Sequence, residues 1–467
     1  MARKYFIETF GCQMNVHDSE RLAGLLDQAG DEAAEAVGDA DLVVINTCSV
    51  RERAEERLYT ELGMVPGGRG GKRPVVAVTG CVAQQEGRAL LERGQRVDLV
   101  VGTQALSRLP AMVDGLTGHR PERVDVNPYD NVSFPLGVAR RSNPVTAAVT
   151  IIEGCNDFCA FCVVPYTRGH ERMRPAAEIL DEVRLAADSG HREVHLLGQI
   201  VNHYSAPDRP GCDFAELLAL VDDVPGIERI RFASPHPRHV SDRMIGAMRS
   251  LPKVCRHLHL PVQSGSTAVL ARMRRRHTRE DYLQLVDRLR AAMPDIALST
   301  DVIVGFPGET DRDFEETLSL TRRVRYHSMF SFKYSERPNT LASKRLADDV
   351  PAAEKTRRIV GLQELQKGIQ SEIHRTRVGA VVEVLVDSTS RRRATELAGR
   401  TSGNTVVNFR AGSGDAESGD LLGRLVRVRI TDSGPFSLRG ELADSPAPRP
   451  APPAGRVVAG GGAEAAG

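Results

Sequence analysis

The first 120 residues alternate between short, continuous apolar runs and segments in which apolar residues recur at helical spacing. The apolar runs are KYFIETF, DLVVINT, RPVVAVTG and VDLVVGT, and a helical pattern of Leu and Ala extends from Ser19 to Ala29. Continuous apolar runs are typical of parallel strands that are buried on both faces of a sheet. The pattern therefore predicts a parallel α/β domain over residues 1–120.

A second series of apolar runs begins after residues 121–144, a stretch rich in Pro, Arg and Asn that we interpret as a linker. Six runs are separated by segments with helical patterns; they are AAVTIIEG, EVHLLGQ, RIRFAS, HLHLPVQ, IALSTDVIVGF and MFSFKYS. Six β/α repeats predict a partial (β/α)6 barrel over residues 145–373. In barrels of this type the functional site lies in the loops that follow the strands.

The pattern changes again after a predicted helix near residues 353–375. AVVEVLVDS and RLVRVRITDS alternate apolar and polar residues and are separated by Gly-rich turns. This alternation predicts a small, OB-like antiparallel β-barrel of about five strands over residues 374–443. Residues 444–467 are rich in Pro, Ala and Gly and are predicted to be disordered. The predicted fold class is therefore α/β, with a small β-barrel as the third domain.

Charge suggests one candidate interface. The chain of 467 residues carries a net charge of +1, so nucleic-acid binding would depend on a local patch. Residues 373–440 contain eleven Arg and seven Asp or Glu. The arginines at 391–393 and the alternating Arg424, Arg427 and Arg429 could contact an RNA phosphate backbone or form a solvated strand face. The charge pattern leaves both interpretations open.

The chain lacks the sequence features of a secreted or membrane protein. Its N-terminus, MARKYFIETFGC, has no basic region followed by an apolar run and a cleavage site. No apolar stretch approaches the ~20 residues that a membrane-spanning helix needs. We therefore expect a cytoplasmic protein without a membrane partner, and we expect a monomer.

Eight cysteines in a chain without a signal peptide favour metal binding or catalysis over disulfides. Cys12, Cys48 and Cys81 each follow the last residues of a predicted strand. Because the carboxyl ends of parallel strands meet at one edge of a sheet, we expect the three thiols to lie together. The alternative is three unrelated core residues. Cys212 and Cys255 follow no pattern and are interpreted as structural.

Three more cysteines, Cys155, Cys159 and Cys162, form a C-x3-C-x2-C motif in the loop after the first barrel strand. An ordinary 4Fe-4S cluster has four cysteine ligands, so three leave one iron open to an exchangeable ligand. Catalytic zinc sites also keep one position open. The alternative is a zinc site with His170, which follows Cys162 by eight residues and so lies outside the usual zinc-finger spacing.

The C-x3-C-x2-C motif, with the aromatic Phe161 before its last cysteine, resembles that of radical S-adenosylmethionine (SAM) enzymes. Further segments resemble the methylthiotransferase family of these enzymes, in the family's order and over almost all of residues 5–440. They are FGCQMNVHDSE, INTCSVRERAEER, VTGCVAQ, GCNDFCAFCVVPYTRG, LLGQIVNHY, ASPHP, HLPVQSGS, TDVIVGFPGET and FKYSERP.

The resemblance implies that the C-x3-C-x2-C motif holds a 4Fe-4S cluster whose open iron binds SAM. It also implies a second 4Fe-4S cluster on Cys12, Cys48 and Cys81, and an RNA-binding TRAM domain at the C-terminus. The implied reaction is methylthiolation of C2 of N(6)-isopentenyl (dimethylallyl) adenosine next to the anticodon of tRNA. It would use two SAM molecules and a sulfur from the second cluster. The alternative substrates are threonylcarbamoyl-adenosine in tRNA or an aspartate of a ribosomal protein. The sequence identifies neither the electron donor nor the ultimate sulfur source.

Six further residues lie at or after the ends of predicted barrel strands, where loops line the functional face. Their positions suit contacts with SAM, but each could equally be a turn or helix-capping residue. They are Gly198, Gln199, Gln263, Ser264, Asp301 and Glu309.

Overall fold

The computed structural model describes residues 2–49, 52–65, 73–93, 96–116, 122–127, 139–390, 393, 395–410 and 421–443. Residues 121 and 128–138 of the predicted linker, Arg391, Arg392 and the predicted disordered segment 444–467 lie outside these ranges. The described residues form a parallel α/β domain, a partial barrel and a small closed β-barrel, which confirms the predicted fold class.

The N-terminal domain is a six-stranded, wholly parallel sheet in the order β2-β1-β3-β4-β5-β6. Its strands are β1 (Lys4–Phe10), β2 (Glu32–Ala33), β3 (Leu42–Thr47), β4 (Val75–Gly80), β5 (Leu99–Val101) and β6 (Val124–Asp125). Its helices are α1 (Gln13–Gln28), α2 (Glu52–Met64), α3 (Cys81–Glu86), α4 (Ala89–Glu92) and α5 (Leu109–Gly115). The short strand β6 falls within the stretch interpreted as a linker and extends the sheet beyond β5.

The apolar run of β3 is buried at every residue because both faces of the sheet are covered. Val43 and Ile45 belong to the apolar cluster on one face, and Leu42 and Val44 belong to the cluster on the other. The alternation of side chains along a strand therefore divides one continuous apolar run between two cores.

The central domain contains six parallel strands in two three-stranded sheets, β11-β10-β7 and β12-β13-β14, with a single bridge between Ile230 and Val254. The strands are β7 (Thr146–Thr150), β10 (Glu193–Leu197), β11 (Arg229–Phe232), β12 (His257–His259), β13 (Ala297–Val304) and β14 (Ser328–Lys333), and β8 (Ile152–Glu153) pairs with β9 (Arg172–Met173). The helices are α6 (Val164–Thr167), α7 (Ala176–Asp188), α8 (Phe214–Asp222), α9 (Asp242–Ser250), α10 (Thr267–Arg272), α11 (Arg279–Ala292), α12 (Asp311–Val324), α13 (Leu341–Arg345) and α14 (Ala352–Arg375).

The C-terminal domain is a closed barrel in the order β15-β16-β17-β19-β18. Its strands are β15 (Val381–Thr389), β16 (Leu397–Thr401), β17 (Val406–Arg410), β18 (Leu425–Ser433) and β19 (Leu438–Leu442). Four pairs are antiparallel, as predicted, but β17 and β19 are parallel. A ring with an odd number of strands cannot alternate direction throughout, so closure itself requires one parallel pair.

Buried arginines connect the C-terminal barrel to the amino ends of the central strands. Arg231 donates hydrogen bonds to the carbonyl oxygens of Thr401 and Ser402, at 2.7 and 3.1 Å, and Arg229 donates to the carbonyl of Arg400. These contacts place the β16–β17 turn at the end of the central domain opposite the carboxyl ends of its strands. Among the described helices, none combines the length and apolar character needed to cross a membrane.

Candidate metal and cofactor sites

Three cysteines of the N-terminal domain meet at one edge of its sheet. Cys12 caps the N-terminus of α1 just after β1, Cys48 follows β3, and Cys81 begins α3 directly after β4. Because β1, β3 and β4 are adjacent, the side chains converge, and the Cys48 thiol hydrogen-bonds with both Cys12 and Cys81. We call these residues the N-terminal triad.

Two buried asparagines and a glycine hold the N-terminal triad close together. The Asn15 side-chain oxygen lies 3.4 Å from both the backbone nitrogen and the Sγ of Cys12, and its amide donates to Asn46 Oδ1 at 3.1 Å. Gly80, with φ of +89°, precedes Cys81; a Cβ there would lie 2.6 Å from the Thr47 carbonyl oxygen. The approach of β4 to β3 therefore requires glycine at this position.

A buried ion pair supplies positive charge to the N-terminal triad. Arg168 Nη2 lies 2.6 Å from Asp18 Oδ2, with both side chains almost fully buried. The hydrogen bond with Cys48 and the charge of Arg168 together outweigh burial and lower the pKa of Cys12 to about 5. The same causes lower the pKa of Cys81 to about 7, while the shared hydrogen bonds raise the pKa of Cys48. The thiolate form is thus stabilised at Cys12 and Cys81 but not at Cys48, and cluster ligands must be deprotonated.

The cysteines of the C-x3-C-x2-C motif, Cys155, Cys159 and Cys162, lie in the loop between β8 and α6, at the carboxyl ends of the barrel strands. We call them the barrel triad. Phe158 takes a left-handed conformation, with φ of 46°, and the Cys162 nitrogen donates to the Cys159 carbonyl at 3.0 Å. These features curl the loop back on itself between Cys155 and Cys162.

Burial controls the protonation of the barrel triad. Burial, with a smaller contribution from the charge of Cys159, raises the pKa of Cys155 to about 11 and that of Cys162 to about 12. Arg275 Nη1 lies 3.6 Å from Cys159 Sγ and supplies a compensating donor. Deprotonation of these thiols therefore requires a cation, which iron would provide.

The donor sets fit thiolate-ligated clusters better than a zinc site. His170, the alternative zinc ligand, hydrogen-bonds Asn156 through Nδ1 at 3.1 Å and packs against Phe158. Within the ranges that the structure describes, no three His, Cys, Asp or Glu side chains are arranged around one ion position. A 4Fe-4S cluster spreads its cysteine ligands over several irons, so it does not require such convergence.

The two triads are joined by one short segment of chain. Arg168 lies just after α6, the short helix that follows the barrel triad in the chain, and its side chain pairs with Asp18 of the N-terminal domain. Thr103 and Gln104 of the N-terminal domain donate hydrogen bonds to the carbonyls of Thr167 and Arg168, at 2.6 and 3.0 Å. The triads therefore lie at a common domain boundary.

Three of the six predicted SAM contacts border the interior of the barrel. Gln199 has a buried Oε1 without a hydrogen-bond partner among the described residues. Gln263, with φ of 74°, bridges to Val302 on β13, and the half-buried Asp301 carboxylate lies 3.4 Å from His259 Nε2. An unpaired oxygen and a partly exposed carboxylate are able to contact a polar cofactor.

The other three predicted contacts have structural partners. A Cβ at Gly198 would collide with Ile152, and Ser264 Oγ accepts a hydrogen bond from the nitrogen of Ser266 at 3.2 Å. The buried Glu309 carboxylate pairs with Arg358 at 2.9 Å and accepts from the nitrogen of Gly305 at 3.0 Å. For these residues the contact with SAM stays a prediction.

Sequence reasoning missed Asp18, Arg168 and Arg275, which supply charge to the two triads. Asp18 and Arg168 had a weak sequence signal, a charged residue close to a cysteine motif in HDSE and YTRG, whereas Arg275 in RMRRRH lies far from any cysteine motif and had none. Asn46 had a clearer signal, because it is a polar residue within the apolar run LVVINT.

Comparison with known families agrees with this division of the chain. The radical SAM superfamily model matches residues 149–321, the model described as uncharacterized protein family UPF0004 matches residues 4–102, and the TRAM domain model matches residues 375–443. A solved structure, the radical SAM methyltransferase TsrM from Kitasatospora setae, superposes with a TM-score of 0.54 at 15% identity. The superposition covers 73% of this chain and 77% of that chain, and it supports the fold alone. The barrel triad and the superfamily match define a radical SAM enzyme.

Relatives with high sequence identity specify the family. A protein of Acetivibrio thermocellus is 45% identical over 441 residues, which is 94% of this chain and 90% of that protein. A protein of Geobacter metallireducens is 46% identical over 443 residues, which is 94% of this chain and 98% of that protein. Both are named tRNA-2-methylthio-N(6)-dimethylallyladenosine synthase, and this chain belongs to their family. The predicted resemblance to the methylthiotransferases is thereby confirmed.

Proposed function

We propose that this protein transfers a methylthio group to C2 of N(6)-isopentenyl (dimethylallyl) adenosine next to the anticodon of tRNA. The observation that carries the proposal is the pair of thiol triads at one domain boundary, linked through Arg168. The names of the relatives support the nucleoside, and the TRAM match supports an RNA substrate. In this proposal the protein acts as a monomer in the cytoplasm.

The chemistry explains why two metal centres are needed. An aromatic C–H has no acidic proton and no leaving group, so side chains acting as acids, bases or nucleophiles cannot replace it by themselves. The barrel triad would hold a cluster that passes one electron from an external reductant to SAM, which then divides into methionine and a 5′-deoxyadenosyl radical, and the N-terminal triad would hold the cluster that supplies the sulfur. The six triad cysteines are the proposed ligands, with SAM and the two 4Fe-4S clusters as cofactors.

The surrounding residues bind and orient these groups. Arg168 stabilises thiolates in the N-terminal triad, and Arg275 orients Cys159 through its hydrogen bond. Gln199 and Asp301 present polar oxygens toward the interior of the barrel, where SAM would lie. Gly198, Gln263, Ser264 and Glu309 complete the proposed SAM site, mainly by shaping its backbone.

Two exposed phenylalanines offer an apolar surface to the isopentenyl group. Phe330 is 54% exposed and Phe332 is 37% exposed, and both lie on β14. Phe330 pairs in register with Asp301, and its ring lies 6.1 Å from that of His259. Ser331, between them, instead hydrogen-bonds Gln363 of α14. The phenylalanines therefore face the interior of the barrel, where an apolar group on the substrate would cover them.

The proposal is tested by metal content and product analysis of the anaerobically reconstituted protein. We expect about eight iron and eight sulfide per chain, as two four-iron clusters require. Mass spectrometry should detect the 2-methylthio product on isopentenylated anticodon stem-loop RNA. About four iron per chain, or product only on threonylcarbamoyl-adenosine or a ribosomal protein, would contradict the proposal.

Cysteine variants separate the two roles. Cys159→Ala should abolish 5′-deoxyadenosine formation, whereas Cys48→Ala should abolish the product but keep uncoupled cleavage of SAM. Cys212→Ala is the matched control, since Cys212 is equally buried but belongs to neither triad. If Cys48→Ala still methylthiolates RNA at the wild-type rate, the sulfur-donor role of the N-terminal triad is wrong.

A further inference from the structure

One strip of the barrel interior places a carboxylate beside an apolar surface. Val302 and Val304 of β13 belong to the core that packs against the helices, so Asp301, which alternates with them, faces the interior of the barrel. Asp301 pairs in register with Phe330 of β14, whose side chain is 54% exposed. Neighbouring strands lie ~4.8 Å apart, so the two side chains leave the same face of the sheet next to each other. Asp301 and Phe330 therefore form one surface with a polar and an apolar half.

This surface lies close to the barrel triad. Ile303 is the next residue on the same face of β13, ~7 Å further along the strand than Asp301. Ile303 and Phe161 both pack against the apolar cluster that contains Ala160. Ala160 and Phe161 belong to the loop of the barrel triad. Asp301 and Phe330 therefore lie on the interior wall just below this loop, where the proposed function requires the reacting nucleotide.

A chain of polar contacts orients the Asp301 carboxylate. His259 Nε2 lies 3.4 Å from Asp301 Oδ2, and His259 Nδ1 hydrogen-bonds Ser299 Oγ at 2.9 Å. Ser299 is buried, and its Oγ also hydrogen-bonds His257 Nε2 at 3.0 Å. Among the residues that the structure describes, no Lys or Arg lies within ion-pair distance of Asp301, whose side chain is 28% exposed. A carboxylate can accept about four hydrogen bonds, so Asp301 is able to accept a further donor from inside the barrel.

We propose that Asp301 accepts a hydrogen bond from N6–H of the substrate adenosine, whose isopentenyl group covers Phe330. The N(6)-isopentenyl nucleoside has a single N6–H, on the same nitrogen that carries the isopentenyl chain. Its acceptor must therefore lie directly beside the apolar surface that receives the chain, and Asp301 and Phe330 have this arrangement. Hydrogen bonds to a carboxylate are stronger than those between neutral groups. This inference rests on the proposed function and assigns a residue that recognises its substrate.

Two fluorescein-labelled anticodon stem-loops test this contact. One carries N(6)-isopentenyl adenosine, and the other carries an isosteric nucleoside in which an ether oxygen replaces N6–H. Fluorescence anisotropy measures the affinity of the anaerobically reconstituted protein for each RNA. The titrations contain no SAM, so a contact between Asp301 and SAM does not affect the comparison. The wild-type protein should bind the ether RNA about 10- to 100-fold more weakly, because the carboxylate then faces an oxygen instead of a hydrogen-bond donor.

Variants of Asp301 show whether this residue is the acceptor. Asp301→Val removes both oxygens and suits a strand, and it should bind the two RNAs within about twofold of each other. Asp301→Asn keeps one acceptor oxygen without the charge, so its preference should be intermediate. The control is Asp287→Asn, which removes an exposed carboxylate that pairs with Arg323 on the outer helices and should keep the wild-type preference. Iron content checks that each variant retains its clusters.

Equal affinity of the wild-type protein for the two RNAs would overturn the inference, whatever the variants do. It would also be overturned if Asp301→Val keeps the wild-type preference, since another group would then accept N6–H. If Asp301→Val loses iron, Asp301→Asn decides the matter, and an undiminished preference in that variant overturns the inference.

The outcome for the proposed function is separate. If no 2-methylthio product forms on the isopentenylated RNA while the preference for N6–H depends on Asp301, the proposed reaction fails and the contact stands. If product forms on this RNA but the wild-type protein binds the ether RNA equally well, the reaction stands and the contact fails.

Discussion

Replacing Arg231 by methionine should loosen the contact between the TRAM barrel and the amino ends of the radical SAM strands. The buried guanidinium donates to Glu193 Oε2 at 2.8 Å and to the carbonyls of Thr401 and Ser402. Methionine retains much of the apolar stem but none of the donors. The substitution therefore leaves one buried carboxylate and two carbonyl oxygens without their common partner.

Two estimates of the free energy lost in Arg231→Met agree. Burial opposes ionisation of Glu193, but Arg231 and then His195 outweigh burial and lower its pKa from 4.5 to about 2. A shift of this size corresponds to ~3 kcal/mol. Removing one partner of a buried ion pair also costs ~3–5 kcal/mol. We therefore expect the free energy of opening at this contact to fall by ~3 kcal/mol, which is a change of roughly a hundredfold in the opening equilibrium.

Hydrogen exchange of the β16–β17 turn measures this opening. Its amides are held by hydrogen bonds from the Thr401 nitrogen to the Thr405 carbonyl and from the Asn404 nitrogen to the Thr401 carbonyl, at 3.0 and 2.9 Å. Arg231→Met should accelerate their exchange by roughly a hundredfold. The double variant Glu193→Gln/Arg231→Met should exchange more slowly than Arg231→Met alone, because the buried carboxylate that would lose its arginine is replaced by a neutral amide.

The ion pair of Glu193 and Arg231 also predicts that protection of the β16–β17 turn depends on pH. Because the pKa of Glu193 is lowered in the folded protein, its stabilising contribution is present above about pH 4.5 and is lost as the pH falls toward 2. Protection of the β16–β17 turn should decline over this range in the wild type and less in Glu193→Gln. Exchange in Arg231→Met at the wild-type rate, or strictly additive effects of the two substitutions, would refute this account of the interface.

Three further substitutions test the sites themselves. Gly80→Ala should lower the iron bound by the N-terminal triad and destabilise the fold by ~1–3 kcal/mol, because the positive φ of Gly80 and the nearby Thr47 carbonyl exclude a Cβ. Iron content and thermal unfolding measure these effects. The control is Gly63→Ala, at a helical position where a Cβ would meet no other atom. Phe330→Ala should raise the KM for isopentenylated RNA several-fold and leave binding of unmodified RNA unchanged; equal effects on both RNAs would contradict the apolar contact. Asp18→Asn should reduce product formation and alter the visible spectrum of the reconstituted protein, since Arg168 loses its buried partner; a wild-type spectrum and rate would contradict a positioning role.

The local sequence pattern was sufficient to predict the position of a residue wherever that position depends on a single helix or strand. The alternation in RLVRVRITDS predicts that Val426, Val428 and Ile430 point inward in β18, and all three are buried. Arg427 and Arg429 are exposed on the outer face. Such exposure is common to both interpretations of these arginines, contact with RNA phosphates and a solvated strand face. Cys12, Cys48 and Cys81 came together as predicted because parallel strands end at one edge of a sheet.

The sequence by itself therefore determined the secondary structure, the three kinds of domain and the two groups of three cysteines, since each depends on local periodicity or spacing. Only the tertiary structure decided which charged side chains lie beside the two groups of cysteines. Asp18 and Arg168 are 150 residues apart in the chain, and Arg275 reaches Cys159 across 116 residues. The same holds for the parallel pair in the TRAM barrel and for the contact of Arg231 with its turn. Such contacts depend on how separately formed elements pack together, which no local pattern of apolar and polar residues encodes.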